Sequence, residues 1–171
     1  DQGEGVPKGL LERTQESLDE SDRLYARWNG AASGRIRYAY CPRFILSCTP
    51  TLLREVARRA KERGAFIHTH AAEHADERAA VKRALGKDDV AFFEEMGIFG
   101  PHAVFAHGVQ LRDAELRRMA KLGTRVVHCP SANMQLASGI APDPAAAKEL
   151  RGDLDAILNK ALKKSPAERY A

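Results

Sequence analysis

The chain has 171 residues, 44% of them hydrophobic and 29% charged, and a formal net charge of +4. That size and balance fit a single soluble globular unit with a sizeable core; no run approaches the roughly 18 apolar residues of a membrane span, and no signal-peptide pattern is present. The basic residues are interspersed with Glu and Asp along helical segments, the pattern of solvated helix faces, which excludes nucleic acid and membrane as expected partners.

Residues 9–28 carry Leu11, Leu18, Tyr25 and Trp28 at helical spacing, with charges between, and predict an amphipathic helix. Asn29-Gly30 and Ser33-Gly34 predict a loop, and the alternating "RIRYAY" (35–40) a strand. Thr49-Pro50 opens the next helix, with the hydroxyl as N-cap and proline at the first helical position; Leu52, Leu53, Val56 and Ala60 form its apolar face and Gly64 ends it. "AFIHT" (65–69) is the second strand. Helices at about 76–85 and 88–96 follow, separated by Gly86 and closed by Gly97. "AVFAH" (103–107) is the third strand, 112–123 a helix with a glycine stop, and "TRVVH" (124–128) the fourth strand.

Strands alternating with helices imply a parallel sheet, because a strand returns parallel only through a crossover. A doubly wound sheet and a (β/α)8 barrel compete. Arg43 follows the first strand, His70 and Glu73 the second, and His107 and His128 end the third and fourth. Polar side chains at successive carboxyl ends favour the barrel, where the chemistry sits on that rim. A doubly wound sheet would gather them at one switch point. No glycine-rich phosphate fingerprint follows any strand, which argues against a nucleotide cofactor. A complete barrel takes about 250 residues, so four βα units amount to roughly half of one.

Among the histidines, His74 and His102 read as ordinary structural residues. His68 shares a strand face with His70 and is assigned a supporting role. His70, Glu73 and His107 stand out together. A neutral imidazole is the commonest metal ligand, and a carboxylate three residues on can reach back to move a proton. Cys41, Cys48 and Cys129 form no CxxC pair, and an odd count without a secretory signal points to reduced thiols in the cytoplasm.

"YCPRFILSCTPTLLREVARRAKERG", "IHTHAAE", "FAHGVQL" and "VVHCPSANMQLASGIAP" together resemble the aminohydrolase branch of the amidohydrolase superfamily. That branch includes 5′-deoxyadenosine, S-adenosylhomocysteine and guanine deaminases and triazine chlorohydrolases. The resemblance covers about 7–142 and implies a metal-dependent (β/α)8 barrel, here partial. It implies a hydrolase acting on C–N bonds other than peptide bonds, a zinc or iron ion, and a purine nucleoside or similar heterocycle as substrate. It places His70 as a metal ligand, Glu73 as catalytic proton shuttle, and His107 in contact with substrate and attacking water. Arg43, Phe44, His128 and Asn133 fall at substrate-binding positions. Ala132 stands where many relatives have Ser. The family's first-strand HxH and eighth-strand Asp have no counterparts, the only HxH being His68-Thr69-His70, so the metal site is expected to be incomplete and the chain inactive alone.

The chain opens without Met, which suggests a fragment. Domain boundaries are expected at 1–142 for the partial barrel and 143–171 for a helical tail. "GDLDAILNKALKKSPAERYA" resembles the late C-lobe of bacterial Ser/Thr protein kinases, with Arg169 at a structural arginine; it carries no kinase catalytic motif. The competing reading is a non-catalytic half-barrel, whose open strand edges and apolar interior would favour a homo-oligomer or interaction module.

Overall fold

The computed structural model describes Gly9 and residues 11–139. The tail expected at 143–171, with its kinase-like stretch, lies outside the described residues.

Four strands form one parallel sheet in the order β1 (Ala39–Tyr40), β2 (Phe66–Ala71), β3 (Ala103–His107), β4 (Arg125–Val127). Each strand pairs with its neighbour in sequence. That progressive order has no reversal, and so no switch point of the doubly wound kind. It is the winding of a (β/α)8 barrel over part of its circumference, as the rim of polar residues predicted.

The helices are α1 (Thr14–Trp28), α2 (Ala31–Gly34), α3 (Pro50–Arg63), α4 (Ala75–Leu85), α5 (Asp89–Glu95), α6 (Asp113–Leu122) and α7 (Pro130–Gln135). The first helix starts later than its periodicity predicted, because Leu11 is 40% exposed and anchors nothing. The predicted loop at 29–34 holds a single turn, α2, in which Ala32 and Ser33 take φ of 53° and 59°. Only two residues of "RIRYAY" form strand, since among the described residues β1 has one partner and pairs only Ala39 with Phe66 and Tyr40 with Ile67.

The third helix follows its caps closely. Thr49 Oγ1 accepts from Leu52 N–H at 3.1 Å, Pro50 takes the first helical position, and Gly64 closes the helix at φ 61°. Leu53, Val56 and Ala60 bury the face turned to the sheet, joining Tyr40, Ile67, Phe93, Ile98, Phe105 and Met119 in the core. Burial of such side chains contributes roughly 1.5–3 kcal/mol each. Tyr40 also donates its hydroxyl proton to Asp22 on α1 at 2.7 Å, and Arg59 and Arg63 of α3 pair with the same carboxylate. Burial, with Asp22 beside it, pushes the Tyr40 phenol up to about 12. No helix among the described residues is long and apolar enough to cross a membrane.

Candidate active site

Along β2 the side chains alternate. Ile67, Thr69 and Ala71 are buried, while Phe66, His68 and His70 are half-buried. The period of two therefore sends both histidines to one face, opposite the packed core. Their rings stack with centroids 6.1 Å apart.

The third strand breaks this rule at the residue that matters. In the register His70 stands beside Ala106, and Ala71 beside His107, so continued alternation would turn His107 away from His70. Instead His107 has φ of 75°, in the left-handed region that non-glycine residues rarely occupy. Its ring comes to lie against His70, with centroids 5.3 Å apart and planes at 29°. A strained backbone at a strand end marks a position held by its surroundings. Gly108, at φ 62°, completes the turn.

Hydrogen bonds fix both rings. His70 Nδ1 lies 2.6 Å from the Arg43 carbonyl oxygen, which can only accept, so Nδ1 is the donor and Nε2 is the nitrogen left for a ligand. His107 Nδ1 donates to Asn133 Oδ1 at 2.7 Å, and Asn133 Nδ2 donates to His128 Nδ1 at 3.2 Å. Glu73 Oε1 stands 3.5 Å from His107 Nδ1, too far for a good hydrogen bond. Burial, with His70 and His107 nearby, holds the His68 imidazole below its ordinary range.

Arg43, Phe44, His70, Glu73 and His107 share one cavity of about 690 Å³. Asn133 and His128 do not line it. Asn133 is buried and grips the His107 ring, and His128 is exposed and grips Asn133, so both reach the cavity only through His107. Arg43 is exposed at the cavity wall, and its backbone carbonyl is the part that engages His70. Ala132 lines the wall, where it presents no hydroxyl.

Four lining residues were not legible in the sequence: Ser47, Glu77, Leu136 and Ser138. Glu77 Oε1 and Ser138 Oγ are buried without hydrogen-bond partners among the described residues. Such atoms are costly unless something polar meets them. Burial, with Asp89 and Glu73 adding negative charge nearby, pushes the Glu77 carboxyl up to about 7. His74 also reaches the cavity, but its ring nitrogen accepts from Asp76 N–H and Glu77 accepts from His74 N–H, a reciprocal cap on α4. His102 packs its ring on Phe66. Cys41, Cys48 and Cys129 are free thiols.

The donor chemistry suits a divalent metal in part. A metal-bound histidine normally donates its other ring N–H to a carbonyl or carboxylate, and His70 does this through Arg43. Among the described residues, however, no group of three or more His, Cys, Asp or Glu is arranged to hold an ion. These residues supply a fraction of a ligand set.

Comparison with known proteins gives a consistent result. The chain matches the amidohydrolase family over residues 4–153. It is 41% identical over 139 residues to a 5′-deoxyadenosine deaminase of Methanopyrus kandleri, covering 81% of this chain and 32% of that protein. It is 39% identical over 141 residues to a 5-methylthioadenosine/S-adenosylhomocysteine deaminase of Symbiobacterium thermophilum, covering 82% and 31%. Among solved structures, an adenosine deaminase from Xanthomonas campestris with bound zinc superimposes with a TM-score of 0.73 at 26% identity, covering 84% of this chain and 32% of that one. The chain thus spans about a third of the length of the curated relatives it matches.

Proposed function

The chain belongs to the amidohydrolase family, and on that premise we propose that it forms one sector of a metal-dependent aminohydrolase site. The reaction is hydrolytic deamination of a purine nucleoside or related N-heterocycle. The observation that carries this reading is the 2.6 Å contact between His70 Nδ1 and the Arg43 carbonyl oxygen, which leaves Nε2 as the metal-competent nitrogen of a ring that lines one cavity with Glu73 and His107.

His70 Nε2 fits one position on a zinc or iron ion, and the remaining donors come from outside the described residues. Such an ion, when bound, supplies a water whose pKa is lowered to about 7. Glu73, at the head of the β2–α4 connection, takes a proton at its carboxylate and delivers it to the departing amine. His107, fixed by Asn133, offers Nε2 as acceptor to the attacking oxygen. As the carbon–oxygen bond forms at the ring carbon, the bond to the exocyclic amine breaks and ammonia leaves. Arg43 and Phe44 flank the base at the cavity wall. The Ser138 hydroxyl, which meets no partner among the described residues, bonds a polar edge of the substrate.

The test is a chimera in which this chain replaces the matched third of the Methanopyrus kandleri deaminase. With zinc or iron added, ammonia release from 5′-deoxyadenosine, S-adenosylhomocysteine and guanine is measured. Release from at least one of them is expected. A folded, metal-loaded chimera that deaminates none of them contradicts the proposal.

A further inference from the structure

The charged residues of α4, α5 and α6 look in sequence like solvated helix faces. Arg78 and Asp89 are not. Arg78 on α4 is buried, and its guanidinium sits beneath the two connections that carry Glu73 and His107. Nη1 donates to the Gln110 carbonyl at 2.7 Å and to Glu115 Oε2 at 3.0 Å, Nη2 donates to Glu115 Oε1 at 2.5 Å, and Nε stands 3.4 Å from Asp89 Oδ1. The planar fork thus meets one backbone carbonyl and two carboxylates at once, a geometry that lysine cannot reproduce.

Each of those partners holds a segment of the site. Asp89 is fully buried, and its Oδ2 accepts from Ala72 N–H at 2.6 Å, one residue before Glu73, where Ala72 has φ of 52°. Gln110, three residues past His107, donates its backbone N–H to the Ala72 carbonyl at 2.7 Å. Gly108 N–H likewise donates to the Ala71 carbonyl at 3.0 Å. The Ala72 peptide is therefore clasped from both sides, by Asp89 and by Gln110, and both of these are held by Arg78.

We infer that Arg78 is a positioning residue: by joining Asp89 under the β2–α4 connection to Gln110 in the β3–α6 connection, it sets how Glu73 stands against His107. This rests on the pairing of Glu73 with His107 in the proposed reaction. Glu115 and Arg112 brace the arrangement. Arg112 donates to Glu115 at 2.8 Å and to Asp88 at 2.6 Å. Burial opposes the charge on Glu115, but hydrogen bonds from Arg78 and Arg112 outweigh it and pull that carboxyl down to about 2. A buried guanidinium with every neighbour matched is costly to disturb and has one arrangement, which suits a part that fixes geometry.

The full 171-residue chain, labelled with 15N-histidine, carries the test. Glu73→Gln is expected to move the imidazole 15N resonances of His107, because the carboxylate lies beside its Nδ1. In an Arg78→Met background the same substitution is expected to move them by less than half as much. Arg78→Lys should restore part of the effect. A general loss of stability would not produce this selective uncoupling in a chain that still folds. Should Arg78→Met fail to fold, Glu115→Gln gives the same readout. A Glu73→Gln effect that is full in the parent and undiminished in these backgrounds overturns the role of Arg78 alone. No effect in the parent overturns the Glu73–His107 pairing, and this inference with it.

Discussion

Gly108, directly after His107, shows how tightly the rim is built. A Cβ added there would stand 2.5 Å from Val126 Cγ1 and 3.0 Å from Leu111 Cδ1, at a φ of 62° that side chains rarely adopt. Gly108→Ala is therefore expected to destabilise the fold by about 1–3 kcal/mol, read from the urea midpoint. An unchanged midpoint would mean that β4 yields easily to the new methyl group. At this scale the sequence was informative where residue type and spacing decide the outcome. His70 and Glu73 sit at the end of an alternating strand, and alternation placed His68 and His70 on one face. The orientation of His107 was not legible, because alternation gives the opposite face and only a φ of 75°, which no residue type in "FAHG" announces for histidine, brings the ring back. Nor was Arg78, whose neighbours Asp89, Gln110 and Glu115 come from three separate segments.

Among the elements, those with explicit stop and start signals match their predicted limits. The third helix is the clearest, with Thr49 and Pro50 at its head and Gly64 at its end. Thr49→Ala removes the acceptor for Leu52 N–H and is expected to cost about 1 kcal/mol in chemical unfolding, whereas Thr49→Ser should cost less than half of that. Equal losses from both substitutions would show that the methyl group rather than the hydroxyl matters. The elements that sequence placed poorly lie at the margin. The first helix and first strand are each shorter than predicted because local pattern extends beyond the partners among the described residues: Leu11 is 40% exposed, and β1 pairs there on one side only.

For the molecule as a whole, the strand order decides the architecture. Four parallel strands in sequential order carry the catalytic candidates on neighbouring rim positions, which is the barrel arrangement seen through one sector. The buried carboxyls give that sector a pH signature. Glu77 is raised from 4.5 to about 7, so its contribution is fully present below about 4.5 and is lost as pH rises through 7. Glu115 is lowered from 4.5 to about 2, so its contribution is present above about 4.5 and is lost as pH falls through 2. Stability attributable to these two groups therefore peaks near pH 4.5, and Glu77→Gln is expected to flatten the decline between 4.5 and 7 in urea midpoints. A decline of unchanged size in that variant would assign it to other groups. In the proposed reaction Glu73 is the group that moves the proton. The most direct measurement is the rate of ammonia release by the metal-loaded chimera with and without Glu73→Gln. A fall of about 10²–10⁴-fold with the fold intact is predicted, and a rate within a few-fold of the parent would contradict the account.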